Sequence, residues 1–166
     1  MPELITPTVR LHRQWLDARD DWGRGVHQDG SGLRPTDDVD SAAGFADWVT
    51  RLRSGPEGRD WVPCTYWWIV DGDTVLGSIS LRHELDDDLL QRGGHIGYGI
   101  RPSARRRGLA SWALGEVLTA ARKLNIGRVL IACAVTNEAS RRVIEHHNGV
   151  LEDERDGKYR YWIDLS

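Results

Sequence analysis

The chain has 166 residues, 40% apolar and 28% charged, with a formal net charge of -3. That suffices for one globular domain, residues 1–166, burying roughly two-thirds of its unfolded surface, and it excludes a disordered chain. The charge balance argues against nucleic-acid or membrane partners, no apolar run approaches the ~20 residues of a membrane-spanning helix, and two cysteines, Cys64 and Cys133, imply neither a disulfide framework nor a metal site.

Met1 to Thr6 has no basic stretch leading into an apolar core, so no signal peptide is read and a reducing cytoplasm is the expected compartment. Arg13 to Trp22 fits a helix with Trp15 and Trp22 inward. Residues 23–40, rich in Gly, Asp, Ser and Pro, read as a long loop, which in a compact domain tends to be functional or mobile. Ser41 suits the N-cap of a helix running to Arg53, with Phe45, Trp48, Val49 and Leu52 at i, i+3, i+4 and i+7 and Ser54-Gly55-Pro56 as its stop. Tyr66 to Val70 and Thr74 to Leu81, joined through Asp71-Gly72, suit a hairpin.

An acidic loop follows (Glu84, Asp86, Asp87, Asp88), then a strand from His95 to Arg101 closed by Pro102. Leu109 to Leu124 is an amphipathic helix, with Ala110, Ala113, Leu114, Val117, Leu118, Ala121 and Leu124 on one face. Val129 to Val135 is a continuous apolar run, as in a strand buried on both sides. Ala139 to His147 is a short helix, and Val150 to Glu154 pairs with Tyr159 to Asp164 across Asp156-Gly157. A helix between neighbouring strands implies one locally parallel pair, so the predicted sheet is mixed. Most of the eight tryptophans are expected in the core.

The segment Ile100 to Ala110 lies at a strand's end and opens a long helix. A helix start leaves about four backbone N–H groups without internal partners, and the dipole adds positive potential, so phosphates bind there. Gly108 lets backbone approach such a ligand and Ala110 keeps the next turn slim, while Arg105, Arg106 and Arg107 offer forked donors. Three adjacent arginines on a loop are also commonly just solvated. Gly97 and Gly99 share one strand face, and glycine there marks close approach of another group or a weakened, bulged strand.

Arg105-x-x-Gly108-x-Ala110, after a strand ending in Arg101-Pro102, resembles the R/Q-x-x-G-x-G/A acyl-CoA signature of the GNAT superfamily of N-acyltransferases. Some 29 residues after Gly108 comes Asn137-Glu138-Ala139-Ser140, resembling the family's N-x-x-S helix start; read alone, Asn137 is simply a good N-cap. The resemblance runs from about Tyr66 to the C-terminus, and Gly93 to Pro102 resembles a bacterial subgroup of acetyltransferases. It implies an α/β (α+β) fold with a mixed, mostly antiparallel twisted sheet of about six to seven strands and helices on both faces. It also implies acetyl-CoA as co-substrate, no metal, and a CoA site at Tyr98, Gly99, Ile100, Arg105, Arg106, Arg107, Gly108, Leu109, Ala110, Ser111, Asn137 and Ser140, the backbone at 98–100 holding the pantetheine amides. The acceptor is a small-molecule amine or a peptide or protein amine, and a homodimer is one expected assembly.

Acetyl transfer to an amine needs a neutral amine at the thioester carbonyl, a donor for the developing oxyanion and a proton for the leaving thiolate. The family's strand carboxylate is absent from Gly94-His95-Ile96, which leaves His95 and then Glu84 as candidate bases. The position of the family's acid tyrosine is Ile144, which leaves Tyr98, Tyr159 or Tyr161. His95 is equally readable as an ordinary strand-end histidine, and Glu84 as a solvated charge. The acidic runs at 84–88 and 37–40 suggest attraction of a cationic acceptor. Two rivals fall away: there is no Gly-x-x-x-x-Gly-Lys-Ser/Thr or Gly-x-Gly-x-x-Gly loop for nucleotides, and the net charge opposes a nucleic-acid module. A third stays open, a catalytically weak GNAT-like domain that binds acyl-CoA as a sensor or assembly partner.

Overall fold

In the computed structural model, which describes residues 1–54 and 62–166, seven strands form two antiparallel sheets that lie side by side. The first, in the order β1-β2-β3-β4, contains β1 (Pro2–Ile5), β2 (Cys64–Asp71), β3 (Thr74–Arg82) and β4 (Ile96–Ile100). The second, in the order β5-β7-β6, contains β5 (Arg128–Ala134), β6 (Val150–Arg155) and β7 (Lys158–Asp164). The helices are α1 (His12–Trp22), α2 (Ala42–Ser54), α3 (Leu109–Lys123) and α4 (Glu138–His146).

Strand alternation divides the core. On β2, Trp68 and Val70 pack under α1 and α2 with Trp15, Phe45 and Trp48, whereas Ile69 points to the other face. That second face is covered by α3, through Ala113, Leu114, Val117, Leu118 and Ala121, and by Ile144 of α4. Helices therefore cover both faces, as expected. Ser41 is confirmed as the cap of α2, its Oγ accepting the Gly44 N–H at 3.0 Å. The Asp156-Gly157 turn between β6 and β7 has positive φ at both residues, 50° and 78°, as a tight two-residue hairpin requires.

Three details differ from the sequence reading. The short strand β1 was not predicted; four residues carry too little pattern, and its pairing with β2 spans more than sixty positions of chain. Leu124, expected on the buried face of α3, is 47% exposed because it lies just past the helix end. The strand-helix-strand step β4-α3-β5 does not close a parallel ladder: among the described residues the pairing is a single isolated antiparallel bridge, from Gly94 just before β4 to Ile131 of β5. Gly55, Pro56 and Trp61 lie outside the described residues.

Candidate active site

The gap between the sheets has a defined hinge. The His95 N–H donates to the Leu130 C=O at 2.7 Å, and the Leu130 N–H donates back to His95 Nδ1 at 2.9 Å. Burial, and then the nearby Arg82 charge, push His95 from 6.5 down to about 4, so its ring is neutral at neutral pH. His95 is 6% exposed and ties the two sheets together, which fits the strand-end reading better than that of a base. Beyond the tie the strands part. The bonds of Arg82 N–H to His95 and of Arg101 N–H to Leu76 place the odd-numbered residues of β4 towards β3. Alternation then turns the amide groups of Tyr98 to the free edge.

A cavity of about 570 Å³ occupies this opening. Tyr98, Asn137 and Ser140 come together on its wall, beside Cys133 of β5. The Asn137 Oδ1 accepts the Ser140 N–H at 3.1 Å, so Asn137 does serve as an N-cap, while the Ser140 Oγ lies 2.7 Å from the Tyr98 hydroxyl. Burial pushes the Tyr98 phenol up to about 12, opposed by the Ser140 hydrogen bond.

The α3 start lies beyond the end of β4, outside the cavity wall. Its first helical bond is Trp112 N–H to Gly108 C=O at 3.0 Å. Gly108 is left-handed, φ 75°, and a Cβ there would meet nothing within 4 Å. Arg106 is left-handed as well, φ 64°, which is uncommon for a non-glycine residue. Among the described residues, no protein acceptor takes the amide hydrogens of Arg106, Arg107, Gly108, Leu109, Ala110 or Ser111. The loop is braced from α1: Arg101 Nε reaches Asp21 Oδ2 at 2.7 Å, and the Ser103 hydroxyl also donates to Asp21. Ser103 and then Arg101 hold the Asp21 carboxyl below its usual range. From just past the end of α4, His147 Nε2 donates to the Ser111 C=O at 2.8 Å.

Several expectations are corrected here. Arg105, exposed like Arg106 and Arg107, is tied by one nitrogen: its Nε donates to the Ile100 C=O at 3.0 Å and its guanidinium lies 4.9 Å from the Trp22 ring centroid, so it also braces the loop. On the side where a Cβ would point, the group approaching Gly97 and Gly99 is the chain itself, because Gly30 packs on Gly97, and Asp29 and Trp22 pack on Gly99. Trp22 is accordingly only half-buried. Glu84 is exposed and absent from the cavity wall.

The acidic runs do not face the cavity either. Asp86 caps Leu89, Asp38 bonds Ser41, and Asp40 bonds Arg19. Asp37 forms an ion pair with Arg51, and burial opposes while Arg51 drives the lowering of its carboxyl. Tyr66, Arg82, Cys133 and Lys158 line the cavity unannounced by any motif, each coming from a different strand.

The acetyltransferase (GNAT) domain family model matches residues 12–149. The chain belongs to the GNAT acetyltransferase family. No curated protein sequence matches it. Among solved structures, the chain is similar to a probable acetyltransferase, at 22% identity and TM-score 0.73, covering 98% of this chain and 92% of that one. It is similar also to Mycobacterium smegmatis RimJ in complex with CoA-disulfide (18% identity, TM-score 0.72, 98% and 81% covered). A third is a mutant form of the spermidine/spermine N-acetyltransferase SpeG from Vibrio cholerae (14%, 0.65, 99% and 95%). At these identities the likeness establishes the GNAT fold. No helix among the described residues is long and apolar enough to cross a membrane.

Proposed function

We propose that the protein transfers the acetyl group of acetyl-CoA to a primary amine by direct attack in a ternary complex. The observation that supports this most is the run of untaken amide hydrogens from Arg106 to Ser111 around left-handed Gly108. Such a cradle fits a diphosphate, and Arg106 and Arg107 can add charge. The free edge of β4 at Tyr98 suits the pantetheine amides, and the Asn137–Ser140 turn of α4 bounds the same arm. The CoA-disulfide complex of RimJ and the amine acceptors of SpeG are in keeping with this donor and this acceptor class.

In the reaction the amine nitrogen forms a bond to the thioester carbon, the carbon–sulfur bond breaks, the ammonium-derived proton leaves to solvent or a base, and the thiolate takes one up. His95, pushed down to about 4, is a weak base, and its Nδ1 is already occupied. Tyr98, pushed up to about 12, is a weak acid for a thiolate, the cysteine thiol ordinarily titrating at about 8.5. The Tyr98–Ser140 hydroxyl pair is therefore assigned to hydrogen-bonding the departing sulfur, with protons supplied by water. Positioning supplies most of the acceleration.

The same weak acid and weak base favour a second reading, an acyl-CoA-binding domain with little turnover. Thiol release from acetyl-CoA across an amine panel separates the two. The CoA site is tested by calorimetry on wild type and Gly108→Asp. The left-handed backbone costs the variant about 1 kcal/mol and the space around it is open, so it folds. A carboxylate in the cradle is expected to weaken CoA binding at least about tenfold, and equal affinity in two folded proteins refutes the placement.

A further inference from the structure

The wall of the cavity on the Gly97 face is basic. Arg82 comes from the end of β3, Lys158 from the start of β7, and Arg34 and Arg51 from the α1–α2 segment and α2; Asp29 is the one carboxylate among the described lining residues. Part of this charge is answered within the protein. Asp37 pairs with Arg51 and acts at longer range on Arg34, and Asp29 lies 2.9 Å from His27 Nε2.

Arg82 and Lys158 are different. Arg82 gives one N–H to the Gly94 C=O at 3.0 Å and Lys158 reaches the Arg92 C=O at 3.5 Å, both neutral acceptors. Neither cation has a carboxylate within ion-pair distance among the described residues. Gln28, which lines the same cavity, is 6% exposed and its amide Nε2 has no hydrogen-bond partner among the described residues. A half-buried guanidinium without a counter-charge is costly, and a ligand oxyanion relieves that cost, while its planar fork matches a carboxylate with two parallel bonds. A polycation placed there meets like charge.

We infer that the acceptor carries a carboxylate as well as its amine, the carboxylate being held by Arg82 with Lys158 at the rim, so that the amine is aimed at the gap between β4 and β5. This rests on the acetyl-transfer reading and specifies its acceptor class. It also reverses the attraction of cations that the acidic runs suggested, because none of those carboxylates lies on the cavity wall among the described residues.

The test uses ω-amino acids of increasing chain length against their neutral amides, with aminoalkylphosphonates and spermidine as further arms, read by thiol release from acetyl-CoA. At the best length the acid is expected to exceed its amide in kcat/KM by about tenfold or more, as a charge-assisted hydrogen bond allows. Arg82→Gln is expected to raise KM for the acid and abolish the preference of acid over amide, with CoA affinity retained. Lys158→Gln, at an exposed position that tolerates change, is expected to reduce the preference by a smaller factor.

Equal use of acid and amide, a preference for spermidine, or an undiminished preference in Arg82→Gln overturns the inference, and a phosphonate preferred over the carboxylate overturns its choice of anion. Absent turnover in every arm counts against the transfer reading alone. In that case calorimetry of the same probes against protein with and without CoA is still expected to rank acids above amides, and an equal ranking overturns the inference.

Discussion

Gly108 and Gly30 are both left-handed, with φ of 75° and 79°, yet their surroundings are opposite. A Cβ at Gly108 meets nothing within 4 Å, whereas one at Gly30 would lie 2.3 Å from the Gly97 carbonyl oxygen. The first glycine opens space at the helix start that the protein itself leaves empty. The second closes space, letting the α1–α2 segment lie directly on β4 and form one wall of the cavity. One end of the site is thus contiguous backbone with free amide hydrogens, and the other is side chains gathered from separate elements onto a packed loop. A glycine in a special conformation therefore marks a ligand approach only where nothing in the chain fills the space beside it.

The comparison can be broken by substitution. Gly30→Ala combines the left-handed penalty with a backbone clash and is expected to lose roughly 2–3 kcal/mol in urea unfolding, against about 1 kcal/mol for Gly108→Ala. Similar losses at the two positions would contradict the contrast. A smaller effect is expected from His95→Gln, which weakens the tie to Leu130 by about 1 kcal/mol at neutral pH. His95 is lowered in the folded protein, so the unfolded chain binds its proton first on acidification. The stability His95 contributes is complete above pH 6.5 and is lost as pH falls towards about 4. Wild type should therefore converge on the variant across that window, and a constant difference would contradict burial as the cause. The smallest effect belongs to Glu84→Gln, exposed and away from the cavity, with stability within about 0.5 kcal/mol of wild type and unchanged turnover. A turnover loss would return Glu84 to the mechanism.

The same contrast explains what was legible in the sequence. The α3 start is readable because its physics is local: Arg105, Gly108 and Ala110 lie within one turn and a half. Helix α2 and strand β5 are readable from periodicity and from an unbroken apolar run. The basic wall is not, because Arg82, Lys158 and Gln28 come to one cavity only through folding, and each looks ordinary in its own segment. Periodicity likewise gave no sign that β4 and β5 would part after one bridge, since that depends on how α3 and the His95–Leu130 tie hold two sheets. The acidic runs are the reverse case: they are conspicuous in sequence, but Asp86 caps a turn, Asp37 and Asp40 pair with arginines, and Glu84, Asp87 and Asp88 are exposed off the cavity wall.

The most direct test of the account is an amide-resolved NMR titration of the 15N-labelled protein with CoA. The largest shift changes are expected at Arg106 to Ser111, with a second group at Tyr98, Asn137 and Ser140. Saturable binding that leaves the amides of Arg106 to Ser111 unmoved would contradict it.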